Sequence, residues 1–330
     1  MRFGEKNTGF CEALQRVPEG RRSESGEVRR VPEETARKLR ELAERYETAE
    51  FSDGDPSFIL KRYTDAADIE CSAFIAAVLA FGRREQFIPK IKCIFDEADR
   101  RGGPAEWLRS GSYASFGAAV CGGSGGDGSA EFSGDGTPSA GCGSTTGTRS
   151  AGGDKKFYRF YSYNDMICLF ARLTKILEKY GTLGNCVRQL YERTDKASKS
   201  HSSQTAAHSP AERLLFALES VFSGCKVVPH GKTSAAKRLC MFLRWMVRQN
   251  SPVDTGLWSW AQPKNLIIPL DTHVLQESIN MGLLPPAAAP SLRTALTLTN
   301  ELREIWPDDP CKGDFALFGL GVDTPEIHKN

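Results

Sequence analysis

Apolar residues recur at helical spacing along most of the chain. Residues 33–48 have an acidic first turn and apolar positions on one face, which predicts a first helix. Residues 69–80 are apolar on nearly all sides, which predicts a buried helix with Asp68 as its N-cap and Gly82 after its end. Further helices are predicted over 88–95, 165–180, 210–222, 234–249, 272–281 and 290–305. Strand-like alternation is nearly absent, with only 265–268 as a short extended candidate, so we expect an all-α fold.

Two polar segments interrupt this helical pattern. Residues 121–153 are rich in Gly and Ser with almost no apolar side chains, which is typical of a disordered insertion in a loop. Residues 196–209 are predicted to form a polar surface loop, and residues 1–31 a disordered tail. Because helical pattern resumes on both sides of each interruption, we expect one helical domain over 32–330.

Composition and charge exclude several classes of protein. Hydrophobic residues make up 40% of the chain and charged residues 25%, with a formal net charge of +2, as in an ordinary globular protein. The ten cysteines are scattered without metal-site spacing, so we expect reduced thiols, no metal and no cofactor. The first 30 residues lack the apolar run of a signal peptide, and the longest apolar runs are too short to cross a membrane. These features predict a cytoplasmic protein.

Positive charge is concentrated between Ser220 and Val253, where six Lys or Arg residues occur without any Asp or Glu. On the predicted helix 234–249, one stripe carries Lys237, Arg244 and Arg248. The opposite face, with Ala235, Leu239, Phe242 and Met246, is expected to face the core. Such a stripe, together with Lys232 and Arg238, would suit a nucleic-acid backbone, although a solvated helix face has the same pattern.

The segment after this helix carries the most specific motif of the chain. It contains the run Ile267-Ile268-Pro269-Leu270-Asp271-Thr272-His273-Val274, followed by Gly282. This run resembles the block of the helix-hairpin-helix (HhH-GPD) DNA glycosylases that supplies the catalytic carboxylate. The resemblance implies a glycosylase-like helical bundle, with Asp271 as the catalytic carboxylate, acting as base or electrostatic stabiliser. Asp271 is equally well placed to cap the following helix, and both roles are compatible.

Some of these glycosylases also use a lysine nucleophile that attacks the sugar. The hairpin that precedes this lysine in the common enzymes has only a faint counterpart at 228–232, and Lys237 lies 34 positions before Asp271. This long spacing is similar to that of the archaeal 8-oxoguanine glycosylases. The similarity points to Lys237 as the nucleophile, with Lys232 as the rival and a solvated or phosphate-contacting lysine as the alternative.

Weaker parts of the same resemblance suggest a base pocket and a DNA-contacting loop. Asp314 and Phe318 occupy the place of an acid and an aromatic that hold the flipped base in the archaeal type. Large aromatics that could stack on a base are Trp245, Trp258 and Trp260, although such residues more often belong to the core. Polar residues that follow the buried helix and could fill the gap in the duplex or contact phosphate are Arg83, Arg84 and Gln86.

Taken whole, the chain also resembles an uncharacterised bacterial family with a Pro-Leu-Asp-Thr-His block, which implies no activity. The leading hypothesis comes from the glycosylase resemblance alone. It is a monomeric base-excision repair glycosylase that acts on a damaged base in duplex DNA, with an oxidised purine as the favoured substrate. Whether it would also cleave the strand stays open. The alternatives are a nucleic-acid-binding protein that has lost the chemistry and a helical protein that binds no nucleic acid.

Overall fold

The computed structural model describes residues 30–50, 55–117, 155–200, 208–230 and 234–323. This part of the chain forms eleven α-helices and one small hairpin, which confirms the mainly helical fold that the apolar pattern predicts. The helices are α1 Glu33–Tyr46, α2 Ala66–Leu79, α3 Arg84–Asp99, α4 Pro104–Arg109, α5 Tyr163–Tyr180, α6 Leu183–Ser200, α7 Pro210–Val221, α8 Lys237–Val247, α9 Thr272–Asn280, α10 Leu292–Ile305 and α11 Lys312–Asp323. Short 3₁₀ helices span Pro56–Lys61, Ser112–Ser115 and Pro263–Asn265.

Helix α2 lies in the centre of the core, because all but two of its residues are buried. It packs against α3, α4, α6 and α8. Its N-cap is Asp65, whose carboxylate accepts hydrogen bonds from the backbone of Ala67 and Asp68. The prediction that Asp68 caps this helix is therefore wrong. Asp68 instead accepts a hydrogen bond of 2.7 Å from the backbone N–H of Ala105. It thus provides an acceptor for one of the N–H groups in the first turn of α4, which have no partner within the helix.

Helices α5 and α6 follow each other along the chain, with a short turn at Gly181 between them. A capping box between Ser162 and Asp165 starts α5, and Gly181, with a φ of 76°, ends it. Helix α6 was not among the predicted helices, and it continues to Ser200. The predicted polar loop 196–209 is therefore wrong for residues 196–200, because the helix extends into the polar sequence.

A small antiparallel hairpin was also missed from the sequence. Strand β1, Lys156–Tyr158, pairs with β2, Tyr161–Ser162, and Arg159 and Phe160 connect them. The strands are too short to show an alternating pattern, but they bury two tyrosine side chains. The predicted extended piece 265–268 forms no strand and follows the third 3₁₀ helix.

The first and last described helices pack against each other. The Tyr46 ring of α1 lies on Gly319 of α11, where an added Cβ would approach a ring carbon to 2.2 Å. Helix α11 also packs against α9. A Cβ at Gly321, in the last turn of α11, would lie 3.0 Å from the Cβ of His273, so this turn lies beside the first turn of α9.

Several predictions lie wholly or partly outside the described residues. These are the tail up to residue 29, the insertion 121–153, residues 201–207 of the predicted polar loop and the candidate Lys232. All seven described cysteines are free thiols. None of the helices in the described ranges has the length and apolar content that a membrane span requires.

Candidate active site

Lys237 is the first residue of α8, which begins three residues later than predicted. Ala236, the residue before it, has a left-handed backbone with a φ of 49°, an uncommon conformation for a residue other than glycine. This conformation turns the chain sharply into the helix. It leaves the Lys237 side chain 36% exposed at the helix start, while the following turns of α8 are buried.

Asp271 is the N-cap of α9, and its two carboxylate oxygens have separate partners. Oδ1 accepts a hydrogen bond of 2.8 Å from the backbone N–H of Val274, which caps the helix. Oδ2 accepts one of 2.9 Å from the Lys237 Nζ. The structure thus brings together the amine and the acid that the sequence singled out, and the cap fixes the carboxylate in place.

The Lys237–Asp271 pair lies at a small cleft that is partly open to solvent. The polar lining includes Asp55, Ser57 and Asp314, and Phe318 adds an aromatic wall. The full lining is Asp55, Ser57, Lys237, Met241, Arg244, Val253, Pro269, Asp271, Asp314, Phe315 and Phe318. Asp314 and Phe318, predicted as base-pocket residues, therefore share one cleft with Lys237 and Asp271.

The predicted phosphate-binding stripe of α8 is wrong for its two arginines, because both are buried. Arg244 is 8% exposed and donates to Asp254 and to Asp314. Arg248 is 2% exposed and contacts three carboxylates, those of Glu47, Asp254 and Asp309. The Phe315 ring lies against both guanidinium groups, 4.5 Å from that of Arg244 and 5.1 Å from that of Arg248. These cations neutralise buried acids and are not available to DNA.

Asp314 connects this buried charge network to the cleft. Its carboxylate is only 6% exposed and forms an ion pair with Arg244. Burial raises the pKa of the Asp314 carboxyl to about 6, while the positive charge of Arg244 opposes that rise. Above pH 6 the group is predominantly a carboxylate, which can only accept hydrogen bonds.

Two further predicted residues have internal roles instead. Arg238 is half-buried, donates to the carbonyl of Val78 and to the hydroxyl of Tyr161, and lies over the Phe81 ring, so its guanidinium is occupied. Trp245 is fully buried in the core and does not line the cleft, so it cannot stack on a base there. Of the weaker candidates, Trp258 is buried and bonded to Glu70, and Trp260 stacks on Trp258.

Arg83, Arg84 and Gln86 are exposed, and the segment reaches the rim of the cleft. The Arg84 guanidinium lies 5.8 Å from the centre of the Phe318 ring and 3.9 Å from a carboxylate oxygen of Asp55. Gly82, just before this segment, lies under the Arg159 side chain of the hairpin, where a Cβ would clash at 2.2 Å. The start of this segment at the cleft and the connection of the hairpin at Arg159 are therefore neighbours.

Five lining residues were not identified from the sequence: Asp55, Ser57, Met241, Val253 and Phe315. Asp55 and Ser57 belong to the start of the first 3₁₀ helix, where Asp55 accepts a hydrogen bond from the Ser57 backbone. An Asp-Pro-Ser run is a recognisable helix start. Nothing in the sequence, however, shows that this start folds against residues almost 200 positions later.

Within the described ranges, no group of three His, Cys, Asp or Glu side chains could hold a metal ion. A family model described as "Protein of unknown function (DUF2400)" matches residues 55–120 and 135–323, more than half of the chain. These two ranges contain every residue that lines the cleft. No curated protein and no solved structure matches the chain.

Proposed function

The chain belongs to the DUF2400 family, and we propose that it is a DNA glycosylase of the helix-hairpin-helix type, with Lys237 as nucleophile and Asp271 as its base. One observation supports this above the others. An amine and a carboxylate that are 34 positions apart meet at 2.9 Å beside an open, partly aromatic cleft. A lysine and a base within hydrogen-bond distance are the pair that amine nucleophilic catalysis requires.

The proposed reaction begins with proton transfer from the Lys237 Nζ to Oδ2 of Asp271. The freed lone pair attacks C1′ of a flipped nucleotide, and the bond from C1′ to the base nitrogen breaks. Its electron pair leaves with the base, which takes a proton from solvent. The amine then loses a second proton to solvent, and its lone pair forms the C1′=N bond as the C1′–O4′ bond breaks. The bond electrons move to the ring oxygen, which takes the proton back from Asp271, and a Schiff base is left on Lys237.

The cleft walls suit a planar base with polar edges. Phe318 offers an aromatic face, and Arg84 beside it extends the same wall. Asp314, as a carboxylate, accepts N–H donors from a base edge. An oxidised purine such as 8-oxoguanine is the substrate class that we favour, on the similarity of the Lys-to-Asp spacing to the archaeal enzymes.

The surface that would bind DNA keeps only part of the one that the sequence suggested. With the arginines of α8 buried, the exposed basic residues beside the cleft are Arg83 and Arg84. The hairpin next to them presents Arg159 and the ring of Phe160, which is 58% exposed. An exposed aromatic among cations is suited to stacking on an unpaired base between phosphates.

Borohydride trapping tests the proposal directly. The native chain, incubated with a duplex that contains 8-oxoguanine, is expected to form a covalent complex on reduction, because borohydride reduces a Schiff base to a stable amine. Lys237→Gln is expected to abolish this complex, and Asp271→Asn to slow base release by about 10²–10⁴-fold.

The matched control is Lys226→Gln, which removes an exposed lysine paired with Asp165 outside the cleft and should still be trapped. Absence of base release and of a complex with the native chain, across a panel of oxidised, alkylated and deaminated bases, would refute the glycosylase proposal. A complex of unchanged yield in Lys237→Gln would refute the role of this lysine.

A second candidate is a nucleic-acid-binding protein without catalytic activity. The observation that favours it is the same ion pair, since Lys237 and Asp271 also join the starts of α8 and α9 as a structural contact. This candidate predicts salt-dependent duplex binding that persists in Asp271→Asn, with no base released from any lesion.

A further inference from the structure

Asp55 lines the cleft with a carboxylate of which only one oxygen is used by the fold. It is the N-cap of the first 3₁₀ helix, and its Oδ1 accepts a hydrogen bond of 3.0 Å from the Ser57 backbone N–H. Among the residues that the structure describes, none donates a hydrogen bond to Oδ2. A guanidinium nitrogen of Arg84 lies 3.9 Å from this oxygen, which is beyond hydrogen-bond distance. Oδ2 can therefore accept a hydrogen bond from a ligand while Oδ1 holds the helix start.

Two neighbours place the Asp55 carboxylate on the side of the cleft. The Arg84 guanidinium that approaches Oδ2 lies 5.8 Å from the centre of the Phe318 ring, which is a wall of the cleft. Arg244 is a second lining residue, and burial opposes its charge, whereas three nearby carboxylates, of which Asp55 is one, raise its pKa. The Asp55 side chain is 25% exposed, so a ligand in the cleft can reach it.

We infer that Asp55 is a specificity residue whose Oδ2 accepts a hydrogen bond from an N–H group of the base bound in the cleft. This inference rests on the proposed function and assigns part of its substrate specificity. An ionised carboxylate can only accept hydrogen bonds, and Asp314 provides a second carboxylate in the same cleft. Two such acceptors suit 8-oxoguanine, because this base presents N–H groups both on its pairing edge and at N7.

Asp55→Asn separates recognition of the base from capping of the helix. The amide oxygen can still accept the hydrogen bond from the Ser57 N–H, since Asn and Asp are equally good N-caps. The other amide group is a donor and would oppose an N–H group of the base. We expect kcat/KM for release of 8-oxoguanine from duplex DNA to fall by about 10–100-fold, as loss of a charged hydrogen bond would cause. The melting temperature should match that of the native chain.

Fluorescence anisotropy with two duplexes shows whether the base itself is contacted. The first carries 2′-fluoro-8-oxoguanosine, which keeps its base because the fluorine suppresses cleavage of the bond to the sugar. We expect its affinity to fall in Asp55→Asn by a factor similar to that for kcat/KM. The second carries a tetrahydrofuran abasic analogue, and its affinity should be unchanged because it has no base. A contribution of Asp55 through Arg84 or the DNA backbone would instead change both affinities.

Asp65→Asn is the matched control. Asp65 caps α2 in the same way, with its Oδ1 2.9 Å from the Ala67 backbone nitrogen, and it is not among the residues that line the cleft. This variant should leave kcat/KM and both affinities unchanged. Asp55→Ser is a second test variant, because serine also caps helices but has no carboxylate. It should reproduce the losses of Asp55→Asn, and it keeps the test decisive if the asparagine variant folds poorly.

The outcomes separate the specificity role from the proposed function. Base release by the native chain with an equal kcat/KM in Asp55→Asn and Asp55→Ser would overturn the role of Asp55 alone. Equal losses of affinity on the lesion duplex and on the abasic analogue would also overturn it, because contact with the base would then not be the cause. Failure of the native chain to release any base would overturn the proposed function, and the inference with it.

Discussion

Arg248 makes the most extensive ion-pair network of any side chain in the described part of the protein. Its guanidinium contacts Glu47, Asp254 and Asp309, and only 2% of the residue is exposed. The positive charge at this position was visible in the sequence, but its burial was not. The carboxylates that neutralise it come from three distant or irregular segments, so a local excess of Lys and Arg looked like a free surface.

Arg248→Met should destabilise the protein strongly. It leaves Glu47 and Asp309 buried or half-buried without their cation, and breaking a buried ion pair typically costs about 3–5 kcal/mol. Urea denaturation measures the free energy of unfolding. Arg188→Ala is the control, since Arg188 forms an exposed pair with Glu192 and should cost less than about 1 kcal/mol. Similar losses in the two variants would contradict the importance of the buried network.

Lys237 and Asp271 show how far reasoning from single residues can reach. The block around Asp271 singled out this carboxylate, and the helix cap that the sequence predicted is present. Lys237 was chosen over Lys232 from spacing alone, and the structure places it against Asp271. Asp55 and Ser57 could not be found in this way, because they join the cleft only through the packing of distant segments.

At the scale of elements, long amphipathic helices were predicted well and short or polar ones were not. Helices α5, α7, α9 and α10 lie within a few residues of their predicted ranges, because their apolar faces and end signals agree. The Lys156–Ser162 hairpin was missed, since five strand residues are too few for a periodic signal. Helix α6 was missed because its polar second half resembles a loop in composition.

The missed hairpin gives a test of the surface that we propose binds DNA. Phe160→Ala should weaken binding to a duplex with an abasic analogue by about 10-fold, because one aromatic stacking contact is lost. The folded protein should tolerate the change, as the ring is 58% exposed. Fluorescence anisotropy measures the affinity. Leu257→Ala, at another exposed apolar residue, is the control. Equal affinities of Phe160→Ala and the native chain would exclude the hairpin tip from the interface.

At the scale of the whole molecule, the two segments on either side of the predicted insertion pack against each other. Residues 118–154 lie outside the described ranges, but their flanks meet. The Phe116 ring lies 5.4 Å from the Phe157 ring and 5.5 Å from that of Tyr163. The sequence predicted an insertion within a helical domain, and these contacts show that the chain on both sides of it belongs to one core.

Replacement of 121–153 by a four-residue Gly-Ser linker should therefore leave the protein folded. We expect the free energy of unfolding to change by less than about 1 kcal/mol, since loop-closure entropy depends only weakly on loop length. Thermal and urea unfolding provide the measurement, with base release as a second readout. Loss of cooperative unfolding would show that the insertion contributes to the core.

Helix α11 has a consequence for how the protein becomes functional during synthesis. It carries Asp314, Phe315 and Phe318, which complete the cleft, and it packs on α1, more than 250 residues earlier in the chain. A polypeptide emerging from the ribosome therefore contains Lys237 and Asp271 before it contains α11, which completes the cleft. Because α11 is translated late, a nascent chain without it lacks part of the cleft lining. The cleft is complete only once α11 has packed against the earlier helices.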